Sequence, residues 1–348
     1  HLLSRVEAIN GYLNLYFDRV AYASAILDEI ETEGAQYGAS RMGQGKRVII
    51  EFSSPNIAKP FHVGHLCSTV IGNALASIYG HLGYETLKIN HLGDWGTQFG
   101  KLMVAWRRWG DEAAIEKTPI REMLRVYVKF HETAQQQPSL EEEARQWFKR
   151  LEDADPDARS MWERFMQLSL VEFERLYQAL GIRFDYVQGE SFYQDKMAEV
   201  REMLEEKNLL INSDGAGVVS LEDEGMPPCL VVKSDGASTY ATRDLAAAIY
   251  RKRTYGFDKC LYVVGTPQAL HFQQVFSVLK RMDMGWHADC RLVGFGLVRF
   301  ADRKLSTRTG DVVFLEEVLD EDVKRCAAKM KDKVADTEQG ESDETARM

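Results

Sequence analysis

The sequence lacks a long hydrophobic run, closely spaced cysteines and an excess of positive charge, and each absence excludes a class of protein. No apolar run in its 348 residues reaches the roughly 18 residues that a membrane-spanning helix needs, so we expect no membrane contact. Its 5 cysteines form no C-x-x-C pair, which argues against a zinc site or a disulfide framework and is typical of a reducing cytoplasm. A net charge of −10 disfavours nucleic-acid binding over the whole surface but not in a local basic groove.

The composition is that of a soluble globular chain, with 45% hydrophobic and 28% charged residues. Its length allows two or three domains and a large core. The first residue is His rather than Met and no secretory signal follows, so we expect a chain excised or processed from a longer one. We expect a cytoplasmic location, with a mitochondrial origin as the alternative because a transit peptide would lie upstream of His1.

Two stretches alternate apolar strands with amphipathic helices, which is the pattern of a parallel α/β sheet. The first stretch has a nearly continuous apolar strand at Arg47–Ser53, a helix that Gly83 ends, and a second strand at Thr86–Leu92. The other stretch has strands at Leu230–Val232 and Cys260–Val264. We therefore predict an α/β fold with a Rossmann-like doubly wound parallel sheet, split by a mainly helical insertion.

Changes of composition along the chain predict five segments. They are a remnant of an N-terminal domain with a glycine-rich linker (1–45), the first half of the Rossmann domain (46–107), the helical insertion (108–229), the second Rossmann half with a mobile loop (230–325) and a charged tail (326–348). The charged helix faces of the insertion are expected to be solvated, with RNA contact as the alternative.

The turn after the first strand is the strongest functional signal. Residues 51–65 join a buried strand to a long helix and contain two prolines, Lys59 and the sequence His62-Val63-Gly64-His65. A strand, a tight turn and a helix whose first N–H groups face an anion form a phosphate site in α/β proteins. Imidazoles suit a polyphosphate there, and Gly64 leaves room for a flat base. The plain alternative is a histidine pair in the core or at the surface.

Two other loops are basic. The sequence Gly43-Gln44-Gly45-Lys46 superficially suggests a P-loop, but it lacks the G-x-x-x-x-G-K-[ST] spacing, so we reject that interpretation. Residues 303–310 form a basic, hydroxyl-rich segment that ends in Gly. Its functional interpretation is a mobile loop that closes over phosphates, and the alternative is a solvated hairpin tip.

The first turn and the 303–310 loop together resemble the paired signatures of class I aminoacyl-tRNA synthetases. His62–His65 stands where that class has H-I-G-H, and Lys304–Arg308 stands where it has K-M-S-K-S. Further motifs narrow the resemblance to arginyl-tRNA synthetases: Glu51–Asn56, Lys59, the run His91–Gly100 and the run Asp235–Asp244. The resemblance is close over about residues 46–107 and 229–325 and loose over the insertion.

The resemblance implies a pocket for arginine. Carboxylates recognise a guanidinium because they accept its fork of donors, and Glu51 and Asp244 stand at the family's positions for that role. Tyr240, one helical turn before Asp244, would add its hydroxyl or ring. Without the resemblance, Tyr240 and Asp244 would be an ordinary i,i+4 pair on an exposed helix. Asn56 and Gln268 match family residues that hold the α-amino end of the substrate, and Ser54 lies beside Asn56 on the same turn.

The resemblance also implies an ATP site. The positions that match it are His62, Gly64, His65, Gly265, His271 and Lys304. His65 would in addition lie near the amino acid, and Lys304 and Ser306 would clamp the leaving pyrophosphate. Mg²⁺ would accompany ATP rather than occupy a protein cage.

Three departures from the family pattern stand out. The second signature has Thr307 where the family usually has Lys, so that loop lacks one cation. In this family an upstream Lys of the first motif can supply the charge, and Lys59 is in place to do so. Cys67 stands where the family usually has Arg. We expect the family's usual N-terminal RNA-binding domain to be reduced to residues 1–45 and its C-terminal one to be missing, and the family usually needs bound tRNA even to form the adenylate.

The resemblance implies ATP-dependent activation of L-arginine to arginyl-adenylate and transfer to tRNA(Arg). The expected partners are L-arginine, ATP and the acceptor end of tRNA(Arg), and the expected oligomeric state is a monomer. Two alternatives remain open. One is a synthetase-like protein that binds arginine or nucleotide without charging tRNA, and the other is an ATP-dependent ligase or nucleotidyltransferase with a different acceptor.

Overall fold

The computed structural model describes residues 2–234, 236–298 and 313–335. The strands are β1 (Leu3–Ile9), β2 (Tyr12–Phe17), β3 (Arg47–Glu51), β4 (Glu85–Asn90), β5 (Tyr186–Val187), β6 (Ile211–Ser213), β7 (Ala216–Val219), β8 (Cys229–Val232), β9 (Lys259–Gly265) and β10 (Cys290–Phe295). The helices are α1 (Arg19–Glu33), α2 (Val63–His81), α3 (Thr97–Trp109), α4 (Glu112–Lys117), α5 (Pro119–Gln136), α6 (Ser139–Glu152), α7 (Pro156–Ala179), α8 (Met197–Glu206), α9 (Tyr240–Tyr255), α10 (Ala269–Arg281) and α11 (Leu315–Ala335).

A five-stranded parallel sheet with the order β10-β9-β3-β4-β5 forms the centre of the fold. The central residues of its middle strand β3, 48–50, are all apolar because the strand is covered on both faces. Val48 and Ile50 are fully buried in a core shared with α2 and the helical insertion, whereas Ile49 is fully buried in a second core with α9 and α10. The predicted Rossmann-like α/β architecture is therefore correct.

The order of the strands reverses at β3. From β3 the chain proceeds through α2 to β4 on one side, while β9 pairs with the other side of β3 and leads through α10 to β10. In an open α/β sheet, the crevice outside the carboxyl ends of the strands at such a switch point is where ligands bind. Here β3 ends at Glu51 and β9 ends at Gly265.

Helices α3 to α7 pack into a bundle beside the sheet. Their apolar faces meet in the same core as β3, with Phe130 and Phe165 fully buried. Helices α3 and α6 approach so closely that a Cβ on Gly100 would collide with the carbonyl oxygen of Ala144. This glycine of the His91–Gly100 run is therefore needed for helix packing.

One sequence-based prediction needs correction. The strand at Leu230–Val232 does not join the parallel sheet: β8 pairs with β7 in a separate antiparallel sheet of order β6-β7-β8. The N-terminal stretch forms an antiparallel hairpin, β1 with β2, before α1. Residues of the predicted charged tail up to Ala335 belong to helix α11.

No helix within the described ranges combines the length and the apolar character that a bilayer crossing requires.

Candidate active site

A cleft of about 590 Å³ opens at the switch point, outside the carboxyl ends of β3 and β9. Its walls come from the turn after β3, the start of α2, the end of β4, α9 and the start of α10. The sequence-predicted residues that line it are Glu51, Ser54, Asn56, His62, Gly64, His65, Tyr240, Asp244, Gly265, Gln268 and His271. Lys59 is not among the lining residues, and Lys304, Ser306 and Thr307 lie outside the described residues.

The turn after β3 has a strained backbone that its surroundings hold in place. Ser53, Ser54 and Ala58 have φ angles of 70°, 48° and 60°, in the left-handed region that non-glycine residues rarely adopt. The amide of Ser53 donates to Ser68 Oγ on α2 at 2.9 Å, and that of Ala58 donates to Ser169 Oγ on α7 at 3.0 Å. The helical insertion therefore helps to fix the shape of this turn.

His62 and His65 form a stacked, neutral pair at the start of α2. Their ring centroids are 3.9 Å apart. Burial lowers the pKa of His62, and burial, His62 and Lys59 together hold the pKa of His65 well below its ordinary value. His62 Nδ1 accepts from the Gly64 amide and His65 Nδ1 accepts from the His62 amide, so each neutral ring carries its proton on Nε2. Two uncharged N–H donors are thus available to an anion.

The first amides of α2 are not free, which corrects the expectation that they face a phosphate. Gly64 N donates to the His62 ring, and His65 N donates to the His62 carbonyl at 2.8 Å. Val63 N donates to the carbonyl oxygen of Val313, which precedes α11, at 3.4 Å. In this conformation an anion would meet imidazole N–H groups rather than the backbone.

Glu51 is paired within the protein. Its carboxylate accepts a short hydrogen bond from Arg251 of α9, and the two side chains are only 6% and 0% exposed. Burial opposes the charge of Arg251, yet Tyr193 and Glu51 hold its pKa well above the ordinary value. A carboxylate placed to receive a substrate guanidinium thus already has one guanidinium partner, which the sequence did not indicate.

Asp244 lies inside the cleft, so the alternative of an exposed i,i+4 pair is wrong for this residue. Its Oδ2 lies 2.5 Å from His271 Nε2, and its Oδ1 lies 4.0 Å from His91 Nε2. Burial alone would raise the pKa of Asp244, but His271, His91 and Arg251 together hold it below the ordinary value. Tyr240, by contrast, is 61% exposed and stands at the rim.

Among the cleft residues that were not predicted, three have ionisable side chains: His91, Glu190 and Arg243. His91 follows β4 directly and was present in a motif already noted, so its place at the carboxyl end of a strand could have identified it. Glu190 begins a short 3-10 helix, Glu190–Lys196, within the insertion, and Arg243 lies between two predicted pocket residues. No local pattern predicts that these two side chains meet at 3.5 Å.

Lys59 lies close enough to act electrostatically on the cleft. Its charge contributes to the lowered pKa values of His62 and His65, and it opposes the rise that burial causes in the pKa of Glu190. The cation that we expected Lys59 to supply is therefore near the two histidines, although the side chain of Lys59 does not line the cleft itself.

Cys67 is half-buried on α2.

Comparisons with known proteins identify the family. The model of the catalytic domain of class I tRNA synthetases (R) matches residues 27–347. This chain belongs to that family. A relative from Clostridium botulinum (strain Okra) that is named arginine–tRNA ligase is 57% identical to this chain over 319 residues. A relative of the same name from Clostridium beijerinckii is 56% identical over 337 residues. These alignments cover 92% and 97% of this chain but 57% and 60% of the relatives.

Solved structures agree with this assignment of the fold. An arginyl-tRNA synthetase from Plasmodium falciparum has a TM-score of 0.72 at 25% identity, with 99% of this chain and 59% of that chain covered. The Thermus thermophilus arginyl-tRNA synthetase has a TM-score of 0.75 at 21% identity, with 100% and 62% covered. The chain therefore has the fold of a synthetase catalytic region and spans about three-fifths of the length of these relatives.

Proposed function

We propose that the cleft activates L-arginine with ATP to arginyl-adenylate and transfers the arginyl group to tRNA(Arg). The observation that carries the proposal is that one cleft has hydrogen-bond donors for an anion on one wall and carboxylates for a cation on another. Two neutral imidazoles at the start of α2 form one wall, and carboxylates of β3 and α9 form another. A triphosphate fits the first wall and a guanidinium fits the second.

The chemistry follows from this arrangement. A carboxylate oxygen of arginine attacks the α-phosphorus of ATP, the bond to the bridging oxygen breaks, and pyrophosphate leaves. A hydroxyl of the terminal ribose of tRNA then attacks the activated carbonyl and releases AMP. No side chain needs to form a covalent bond, because positioning and charge stabilisation suffice for both steps.

We assign the residues as follows. His62 and His65 donate hydrogen bonds to the triphosphate, and Lys59 supplies a nearby positive charge. Asp244 and Tyr240 receive the guanidinium, with Glu51 behind them. The α-amino end would be held by Ser54, Asn56 and Gln268, the nucleoside by Gly64, Gly265 and His271, and the pyrophosphate by Lys304 and Ser306.

Mg²⁺ would enter with ATP as a phosphate-bound ion. Among the described residues, no three His, Cys, Asp or Glu side chains group as a metal site. The proposal has three further parts. The catalytic region consists of a 46–107 half and a 230–325 half of the Rossmann domain with a 108–229 insertion between them. The protein is cytoplasmic, and it is a monomer.

Arginine-dependent exchange of pyrophosphate into ATP tests the proposal. The chain should catalyse exchange with arginine but not with lysine or citrulline, and tRNA(Arg) should be added in a parallel series. No exchange in either series, together with tight arginine binding, would favour the synthetase-like binder. Exchange without tRNA and without charging would favour a ligase with another acceptor.

A further inference from the structure

Helix α7 of the insertion presents three side chains to the turn between β3 and α2. Ser169, Phe173 and Tyr177 follow one another at intervals of four residues, so they lie on one face of the helix, and all three are buried. The ring centroids of Phe173 and Tyr177 lie 5.8 Å and 5.5 Å from that of Phe61, near the end of the turn. We call Ser169, Phe173 and Tyr177 the α7 stripe.

Ser169 holds the part of the turn next to Lys59. Its Oγ accepts from the amide of Ala58 at 3.0 Å, and Ala58 has a φ angle of 60°, in the left-handed region. A non-glycine residue keeps such a conformation only where its surroundings determine it. Ser169 therefore helps to set the direction in which the chain continues to Lys59 and to the histidine pair at the start of α2.

Tyr177 holds the other part of the turn, largely through Asn90 of β4. The Tyr177 hydroxyl lies 2.8 Å from Ser53 Oγ and accepts from Asn90 Nδ2 at 3.0 Å. Because the amide nitrogen of Asn90 faces Tyr177, its oxygen faces the backbone amide of Ser54 and accepts from it at 3.2 Å. Burial raises the pKa of Tyr177, so the hydroxyl keeps its proton.

Ser54 is the residue through which this contact reaches the cleft. Its φ angle of 48° is also in the left-handed region, so its conformation depends on the partners of its backbone. Its Oγ is buried, lines the cleft and forms no hydrogen bond within the described residues. The place of this hydroxyl in the cleft therefore depends on Asn90 and, behind it, on Tyr177.

We propose that the α7 stripe positions the two ends of the turn separately: Tyr177 acts through Asn90 and Ser54 on the affinity for the amino acid, whereas Ser169 acts through Ala58 on the affinity for the triphosphate. The inference rests on the proposed function, because it takes arginine and ATP as the ligands. It deepens that function by making two buried hydroxyls of the helical insertion positioning residues for the cleft.

Calorimetric titration of the full chain with L-arginine and with a non-hydrolysable ATP analogue tests the proposal. Tyr177→Phe should raise Kd for arginine about 10-fold and Kd for the ATP analogue by less than about twofold, because it leaves the Asn90 amide without its acceptor. Ser169→Ala should do the reverse, because it leaves the Ala58 amide without its acceptor. The KM values in pyrophosphate exchange, with tRNA(Arg) present, should shift in the same way.

The matched control is Phe173→Leu, because Phe173 lies between the two hydroxyls on the same face of α7. This change removes packing against Phe61 but no hydrogen bond. It should lower Tm and change both Kd values by the same factor. A general loss of stability is thereby distinguished from a selective loss of one ligand.

A second variant tests the path from Tyr177 to Ser54. Asn90→Ala should weaken arginine binding at least as much as Tyr177→Phe, so the path can be tested even where Tyr177→Phe is poorly folded. Adding Tyr177→Phe to Asn90→Ala should weaken arginine binding no further, because the hydroxyl acts through the amide. Additive losses would overturn this path.

The outcomes separate this inference from the proposed function. If the wild type binds both ligands but catalyses no exchange, the proposed function fails, whereas the ratio of the two Kd values still decides this inference. If the wild type binds neither ligand, both fail. If the wild type is active but Tyr177→Phe and Ser169→Ala weaken both ligands equally, or weaken neither, the α7 stripe has only a structural role and the proposal is overturned.

Discussion

The cleft and the helical insertion both contain many ion pairs, but the two sets differ in their access to water. In the insertion, Arg108 pairs with Glu143 across α3 and α6, and these side chains are 44% and 36% exposed. In the cleft, Arg251 and Glu51 are almost completely buried, and Arg243 and Glu190 are nearly so. The same residue types therefore stand in two different electrostatic environments.

This difference separates the roles of the two sets. An exposed pair contributes about 0–1 kcal/mol, because water screens it and side-chain entropy opposes it. A buried pair offsets a large desolvation penalty, so loss of one partner leaves an unpaired charge. The ion pairs of the insertion are expected to be replaceable, whereas those of the cleft hold charged groups ready for a charged ligand.

The largest expected effect comes from breaking the buried pair. Arg251→Met should lower the free energy of unfolding by about 3–5 kcal/mol, because it leaves Glu51 charged and unpaired in the core. Urea denaturation measures this change. The double variant Glu51→Gln with Arg251→Met should recover part of the loss, and a single-variant loss below about 1 kcal/mol would contradict the buried-pair account.

The next effect concerns catalysis rather than folding. Lys59→Ala should slow arginine-dependent pyrophosphate exchange by about 100-fold, because it removes a positive charge that acts on His62 and His65 while the second signature carries Thr307 instead of Lys. Thermal unfolding should change little. Lys46→Ala, an exposed change just before β3, serves as the control, and unchanged exchange in a folded Lys59→Ala protein would refute the role.

The half-buried histidine pair predicts a dependence of stability on pH. The folded protein keeps His65 neutral below pH 6.5, while the unfolded chain takes up a proton there. The free energy of unfolding should therefore fall as pH drops through 6.5, by at most about 1.4 kcal/mol per pH unit for this group. Urea denaturation at a series of pH values measures this dependence. His65→Asn should make the free energy of unfolding less dependent on pH below pH 6.5, whereas His81→Asn, at an exposed site, should not.

The smallest effect is expected in the insertion. Arg108→Gln should change the free energy of unfolding by less than about 0.5 kcal/mol and leave pyrophosphate exchange unchanged, because the pair with Glu143 is exposed. The same urea and exchange measurements apply. A loss comparable to that of Arg251→Met would remove the distinction between the two regions.

Local motifs predicted the cleft well where the chain itself brings residues together. A buried strand, a turn and a helix that follow one another in the chain place Glu51, Asn56 and His62 at one end of the sheet. Asp244 and Gln268 followed from the resemblance, since each matches a family motif.

The sequence did not predict relations that depend on tertiary packing. Arg251 meets Glu51 only because α9 lies across the sheet, and Glu190 enters from the insertion. Val313 accepts from the α2 amide because α11 begins beside the first turn, so the free helix amides expected from the motif are occupied. The strand at 230–232 was assigned to the wrong sheet, since a short apolar run does not reveal its pairing partner.

Amide hydrogen exchange with arginine and a non-hydrolysable ATP analogue most directly tests whether both ligands bind in the cleft. We predict slower exchange in residues 51–65, 240–244 and 265–271, with no change in α5 and α6 of the insertion. Protection confined to the insertion, or no protection at the carboxyl ends of β3 and β9 under saturating ligand, would contradict the account.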